Sequence, residues 1–155
     1  MLTNMPRLFF SFRGRANRTG FWLVSLSWGV LGLIFDAVWS ATGAAQVPVG
    51  RNHFVDVAFV LPMLVMLVSC VAIGVKRLHD RNKSAWWLLL FYVVPPVLQT
   101  VAPLYDMESA VLVWMMVLSG ALSLWALIEL GCLRGTRGPN RFGPDPLLAP
   151  ATEHA

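Results

Sequence analysis

Four apolar stretches, each long enough to cross a membrane as a helix, run through this 155-residue chain. They occupy positions 21–40, 54–75, 85–104 and 110–130. About 20 helical residues span the roughly 30 Å hydrocarbon core of a bilayer. Helices that are apolar all round belong in lipid or inside a much larger protein. The sequence therefore predicts an all-α fold, an integral membrane four-helix bundle that crosses the bilayer four times.

The basic residues give this predicted bundle an orientation. Eleven of the twelve lysines and arginines precede the first stretch, separate the second from the third, or follow the fourth. Because lysine and arginine near the ends of spans stay on the cytoplasmic side, we expect both termini in the cytoplasm. The eleven are Arg7, Arg13, Arg15, Arg18, Lys76, Arg77, Arg81, Lys83, Arg134, Arg137 and Arg141.

The composition supports a membrane protein without a separate soluble domain. The chain is 57% hydrophobic and 13% charged, whereas soluble domains average roughly 45–50% apolar and 25% charged residues. The segments outside the apolar stretches are too short to bury a core of their own. We therefore expect one membrane domain over 1–146 and a disordered tail over 147–155. We interpret the net charge of +4 as a signal that orients the protein in the membrane, and we expect no nucleic-acid partner.

The segments that flank the helical region have their own local signals. Positions 8–12 form a short amphipathic segment that suits the headgroup layer, with aromatic rings in the acyl boundary. Asn17 or Thr19 is the expected N-cap of the first helix. Glycine and proline recur at 138–144, which predicts a turn-rich cytoplasmic tail.

Two adjacent prolines, Pro95 and Pro96, lie in the middle of the third stretch. Proline removes a backbone donor and clashes with the preceding turn, so this helix is expected to bend or break. A broken helix can expose backbone for ligand binding, and a simple bend is the alternative.

Small residues share one face of the first predicted helix. Ser25, Gly29 and Gly32 are followed by Asp36, with spacings of 4, 3 and 4 residues. Small side chains let a second helix approach closely, so this face is a candidate for homo-oligomer contact. We expect Asp36 to point into the bundle, either as the end of a packing seam or as an ion or proton site.

Acids within spans are candidate functional residues, and Asp36 is one of three here. Asp56 lies in the first turn of the second helix, where a carboxylate complements the positive end of the helix dipole. Glu129 lies near the cytoplasmic boundary, where an ion pair with an arginine is the simplest expectation.

Three short motifs lie on the predicted cytoplasmic side, at 12–18, 76–84 and 135–144. Each adjoins a helix end at the same membrane face, so we expect them to lie together. One role open to them is a structural latch, in which Asp80 pairs with an arginine and the tail folds back. The other is a site for an anionic lipid headgroup or a phosphorylated metabolite. The candidate residues are Arg13, Arg15, Arg18, Lys76, Arg77, His79, Asp80, Lys83, Asn140 and Arg141.

The same motifs resemble those of a known family. GRANRTGFW, VKRLHDRNKSAWWLLL and GTRGPNRFGPDP are similar in order and spacing to the YhaH-like bacterial inner-membrane proteins, the domain of unknown function 805. The resemblance extends from about Leu8 to Pro146. It implies a small multi-pass protein of the bacterial inner (plasma) membrane, and it implies no established activity. The family pattern often has a small residue where this chain has Arg81 and Asn82.

The motifs lack the residue sets of common catalytic sites. His79 and Asp80 could act as an acid–base pair, but adjacent residues rarely face each other and no nucleophile is fixed nearby. One histidine and one aspartate fall short of the three or four ligands of zinc. The glycines of the tail lack the strand-to-helix context of a nucleotide-binding loop. We expect no catalytic residue, no metal and no cofactor.

Three functions are open to such a chain. The leading hypothesis is a non-enzymatic inner-membrane protein whose basic cytoplasmic face binds anionic phospholipid or a partner protein. The first alternative is a transporter or channel component that works as an oligomer, with Asp36 and Asp56 at an outer vestibule. The second is an enzyme that acts on a lipid headgroup, with His79 and Asp80 as acid–base groups.

Overall fold

The computed structural model describes residues 5–41, 53–105 and 109–147, and within these ranges every regular element is a helix and none is a strand. This confirms the all-α class. A π-helical turn, Leu89–Val93, precedes α4, and a second, Ile128–Cys132, ends α5. The helices are α1 (Met5–Phe10), α2 (Arg18–Ala41), α3 (His53–Asp80), α4 (Val94–Val101) and α5 (Ala110–Leu127).

Three helical segments are long and apolar enough to cross a membrane, namely Arg18–Ala41, Val60–Asp80 and Ala110–Cys132. A shorter apolar helix, Leu89–Val101, lies where the third stretch was predicted. Within the described residues, the molecule is therefore an all-helical membrane protein with three helices long enough to span a bilayer and one shorter apolar helix.

The interruption of the third apolar stretch has a local cause. Pro95 and Pro96 occupy the first turn of α4, where a missing N–H is tolerated. The turn before them widens, so that the Val94 N–H bonds to the Leu89 carbonyl five residues earlier. The predicted interruption is thus a change of helix type at the prolines.

A polar link holds α4 against α5. Gln99 Nε2 donates to Ser119 Oγ at 2.9 Å, and the same hydroxyl donates to the Pro95 carbonyl at 3.3 Å. Ser119 is buried. Two edge-to-face aromatic contacts continue this interface, since the Trp125 ring centroid lies 5.4 Å from that of Phe91 and 5.7 Å from that of Trp87.

Helix α3 continues to Asp80, five residues beyond the predicted end at 75, so part of the expected loop is helical. The end is a Schellman motif. Asn82 has a positive φ of 57°, its N–H bonds to the His79 carbonyl at 3.0 Å, and the Lys83 N–H bonds to the Leu78 carbonyl at 2.8 Å. The last turn of α3 therefore carries its charged side chains on a rigid element.

The buried apolar residues gather toward the end of the molecule where α3 stops. They come from the segment 16–24, the C-terminal half of α3, and the segments 88–91 and 126–130. Along most of α2 and α5 the apolar side chains are exposed, as expected for a surface in lipid. The core is Ala16, Phe21, Val24, Ile73, Val75, Leu78, Leu88, Phe91, Ala126 and Leu130.

The small-residue face of α2 is not packed within one copy of the chain. Gly29 and Gly32 border open space, where an added Cβ would meet no neighbour within 4 Å. Asp36 is exposed within one copy of the chain, and its expected orientation into the bundle stays a prediction. It lines an apolar groove of about 610 Å³ between α2 and α3, with Phe35 and Met63 among its neighbours.

Candidate functional site

The end of α3, the segment before α2 and the tail after α5 meet at one end of the molecule, called here the basic end. At its centre Asp80 lies between two arginines. Arg15 Nε donates to Asp80 Oδ1 at 3.0 Å, and Arg77 Nη1 lies 2.5 Å from Asp80 Oδ2. The side chains of Arg15, Arg77 and Asp80 are 1%, 0% and 4% exposed. Asp80 thus neutralises part of a buried positive charge.

Arg77 also satisfies the backbone at the end of α5. Its Nε donates to the Leu130 carbonyl at 2.6 Å, and its Nη2 donates to the Leu133 carbonyl. A third donor reaches the Ala16 carbonyl at 3.5 Å. The last carbonyls of a helix have no partner within it, so a buried guanidinium here stabilises the end of α5.

Arg15 ties the tail to α3. Its Nη1 donates to the Gly138 carbonyl at 2.7 Å, and its Nη2 donates to the Thr136 carbonyl at 2.6 Å. The Thr136 hydroxyl and N–H both donate to the Asp80 carbonyl, at 2.9 Å and 2.8 Å. The tail therefore folds back over the end of α3, and the predicted pairing of Asp80 with an arginine of another motif is present.

Gly135 permits this close approach. A Cβ at this position would overlap the Asp80 carboxylate, at both of its oxygens. A larger residue would therefore displace either the tail or the Asp80 side chain.

A second ionic cluster forms around Glu129, whose side chain is 4% exposed. Arg81 Nε lies 2.5 Å and Lys83 Nζ 2.7 Å from Glu129 Oε1. Arg81 also donates to the Arg134 carbonyl at 3.0 Å. The expected ion pair of Glu129 with an arginine is present, and it links the turn after α3 to the end of α5.

Lys76 is buried and joins α1 to α3. Its Nζ donates to the Arg7 carbonyl at 2.9 Å and to the Leu8 carbonyl. These are carbonyls near the C-terminus of α1, where a cation is favourable. The Lys76 carbonyl accepts from the Ala16 N–H at 3.2 Å. Lys76 is therefore occupied by contacts within the protein.

His79 and Asp80 do not form an acid–base pair. The His79 ring stacks on Phe142, with centroids 3.8 Å apart and planes 6° apart. Its Nδ1 is buried and, within the described residues, has no hydrogen-bond partner. Asn140 Nδ2 donates to the His79 carbonyl at 2.9 Å. The histidine is thus held by packing against the tail, while Asp80 is bound to the arginines.

Arg18 and Arg141 bond to backbone carbonyls at the surface. Arg18 Nη1 donates to the Cys132 carbonyl at 3.2 Å. Arg141 Nη2 donates to the Asn82 carbonyl at 3.2 Å. Each uses one donor group in these bonds, so both retain N–H groups that can reach a ligand.

Four arginines differ from the rest. Within the described part of the chain, their side chains have no hydrogen bond and no ion pair. They fall into two pairs beside two cavities, which share Asn17 and Thr19 at the start of α2. One is a groove of about 840 Å³ next to α1, and the other is a cavity of about 250 Å³ next to the tail. The pairs are Arg7 and Arg13 at the groove, and Arg134 and Arg137 at the cavity.

The remaining predicted positions have simpler outcomes. Asp56 lies in the first turn of α3, and its side chain is outside the described residues. Cys70 and Cys132 are free. Across 5–41, 53–105 and 109–147, no three or more His, Cys, Asp or Glu side chains come close enough to hold a metal ion.

Three residues that shape the basic end were absent from the candidates. Gly135 and Thr136 belong to the tail motif, and their role depends on contact with Asp80, which is distant in sequence. Arg81 was regarded as an extra charge of the loop. Asn82 was one available signal, because asparagine often follows the last residue of a helix. A helix that continues to residue 80 would have placed Arg81 at its end.

Comparison with known proteins gives a consistent result. The model of a family described as "Protein of unknown function (DUF805)" matches residues 9–144. The Escherichia coli (strain K12) protein named inner membrane protein YhaH is 32% identical over 144 residues, which cover 90% of this chain and 89% of the relative. Inner membrane protein YhaI of the same strain is 27% identical over 135 residues, with coverages of 87% and 85%.

A third relative from that strain, uncharacterized protein YiiR, is 31% identical over 139 residues, which cover 88% of this chain and 86% of the relative. No solved structure matches. The matches extend over the helical region and all three motifs of the basic end.

Proposed function

The chain belongs to the DUF805 family of inner-membrane proteins, and from the geometry of its basic end we propose that it binds anionic phospholipid on the cytoplasmic side of the membrane. The proposal is of a non-enzymatic binding protein. The observation that carries it is the groove beside α1, where two unpaired arginines border apolar side chains.

The proposed topology has four spans with both termini in the cytoplasm. The basic end carries the lysines and arginines of three motifs, and such residues stay on the cytoplasmic side. Helix α2 begins at this end and α5 finishes at it. The chain must therefore cross the bilayer an even number of times from the start of α2 to the end of α5. The shorter helix Leu89–Val101 with its flanking turns supplies the fourth crossing.

The groove has the two surfaces that a phospholipid needs. Arg7 and Arg13 line it as exposed cations without partners. Leu8 and Leu23 line it as apolar residues. Phe12, which precedes Arg13 in the chain, is exposed. A phosphate at the guanidiniums would leave its acyl chains against the apolar residues, at the depth where aromatic side chains are favoured.

Hydrogen bonds within the protein leave only some of the basic residues at the groove available to bind lipid. Arg15 and Lys76 also line the groove, yet their donors are bonded to Asp80 and to backbone carbonyls. They fix the shape of the groove and hold α1 and the tail in place. In this proposal the buried cations form the latch, and the two free arginines contact the lipid.

Native mass spectrometry of the purified protein tests the proposal. The wild-type chain should retain phosphatidylglycerol or cardiolipin. Each basic residue at a membrane surface adds roughly 1 kcal/mol to anionic-lipid binding, so the double variant Arg7→Gln, Arg13→Gln should weaken retention by about thirtyfold. The matched control Arg134→Gln, Arg137→Gln removes the same charge from the other cavity and should retain lipid. Equal retention by all three proteins would contradict the proposal.

A further inference from the structure

We propose that the cavity of about 250 Å³ next to the tail is a separate site for a small, water-soluble phosphate monoester. It lies between the start of α2 and the tail after α5. It shares Asn17 and Thr19 with the lipid groove, but it has its own pair of free arginines, Arg134 and Arg137.

The charge balance of the cavity favours an anion. Four arginines line it, namely Arg18, Arg77, Arg134 and Arg137. Two carboxylates, those of Asp80 and Asp145, line it as well.

Both carboxylates are already engaged. Asp80 is bound by Arg15 and Arg77. Asp145 accepts from the N–H groups of Gly138 at 2.9 Å and Leu147 at 3.0 Å. The guanidiniums of Arg134 and Arg137 form no ion pair within the described residues, and Arg134 interacts with the Asp145 carboxylate only at longer range. With four arginines against two carboxylates the lining keeps a positive excess, which a dianion would neutralise.

The chemistry of the lining favours a phosphate monoester over other anions. A guanidinium presents paired donors that match phosphate oxygens, and two such groups suit the double charge of a monoester. The volume exceeds what a bare phosphate ion needs and lies just below the usual range for small-molecule sites.

The body attached to the phosphate is expected to be polar. Asn17 and Thr19 offer amide and hydroxyl groups, and Leu147 alone is apolar among the described side chains that line the cavity. A small hydroxyl-bearing ester fits this lining, and a lipid with acyl chains does not.

Isothermal titration calorimetry on the full chain in phosphatidylcholine nanodiscs tests this inference, with glycerol 3-phosphate as the probe and glycerol as the uncharged control. The wild type should bind glycerol 3-phosphate and not glycerol. The variant Arg134→Gln, Arg137→Gln should bind the probe at least about tenfold more weakly. The variant Arg7→Gln, Arg13→Gln should bind it with wild-type affinity, which separates this site from the lipid groove.

Three results would overturn the inference. Absence of binding by the wild type up to about 10 mM probe, which corresponds to a binding free energy of only about 3 kcal/mol, would do so. Unchanged affinity in Arg134→Gln, Arg137→Gln would do so as well. Loss of phosphatidylglycerol retention in that variant would assign the cavity to a lipid headgroup. The first two outcomes leave the test of the lipid groove unaffected, because that test rests on Arg7 and Arg13, whereas the third would also fail its control.

Discussion

Arg15 and Asp80 lie 65 positions apart in the sequence and form a buried ion pair, with Arg15 Nε 3.0 Å from Asp80 Oδ1. The pair joins the segment before α2 to the last turn of α3. Because Arg15 also donates to the carbonyls of Thr136 and Gly138, the same guanidinium holds the tail. One side chain thus fixes three chain segments that are remote in sequence.

Replacement of Asp80 by asparagine should strongly destabilise the protein. The amide would place donor N–H groups against the donors of Arg15 and Arg77 and leave two buried guanidiniums without a counter-charge. Breaking a buried ion pair in this way costs about 3–5 kcal/mol. Thermal unfolding in mild detergent measures the effect. The exposed Asp36→Asn variant is the control, and equal melting temperatures for the two variants would contradict the prediction.

A methyl group at Gly135 should separate the tail from α3. The added Cβ of Gly135→Ala would overlap the Asp80 carboxylate, and overpacking of this kind costs about 1–3 kcal/mol. Gly120→Ala is a matched control, because an added Cβ there meets nothing within 4 Å. Hydrogen exchange of residues 135–143 should rise in the first variant and stay at the wild-type level in the second. Protection that is unchanged in Gly135→Ala would show that the contact is not required.

Glu129 and Arg81 should be energetically coupled. Their side chains are 2.5 Å apart, and Glu129 is almost fully buried. A double-mutant cycle with Glu129→Gln and Arg81→Gln should give a coupling of about 0.5–3 kcal/mol in the free energy of unfolding. The same cycle between Glu129 and Arg137 serves as the control, since no bond joins them within the described residues. A coupling no larger than that of the control would refute the pairing.

Packing of the tail should weaken in acid. Hydrogen bonds from the backbone N–H groups of Leu147 and Gly138 lower the pKa of Asp145. A carboxyl whose pKa falls on folding stabilises the folded form above its unfolded pKa of about 3.9 and loses this contribution as the pH falls through the folded value. Hydrogen exchange at Gly138 and Leu147 should therefore be constant from about pH 5 to 8, after correction for the intrinsic rate, and rise below about pH 4.

The variant Asp145→Asn provides the control for this acid effect. It should show the faster exchange already at neutral pH and lose the dependence on acid. Continued acid dependence in Asp145→Asn would assign the effect to another carboxyl.

Several local features could be predicted because short-range chemistry decides them. Asn17 Oδ1 accepts from the Gly20 N–H at 2.8 Å, as expected for the N-cap of α2. The helix interruption at Pro95 and Pro96 follows from a missing donor and a steric clash with the preceding turn. The end of α3 was predicted too early, because its Schellman motif depends on Asn82 in a left-handed backbone conformation. The hydropathy pattern carries no information about that conformation.

The sequence by itself determined the helical class, the membrane location and the gathering of basic motifs, since apolar length and local charge are properties of consecutive residues. Only the tertiary structure decided which cations are free. Arg13 and Arg15 are two positions apart in one motif, yet Arg15 is buried against Asp80 while Arg13 is exposed. The difference arises because a buried guanidinium must find a carboxylate and carbonyl oxygens to replace its lost hydration, and these partners come from segments that only folding brings within bonding distance.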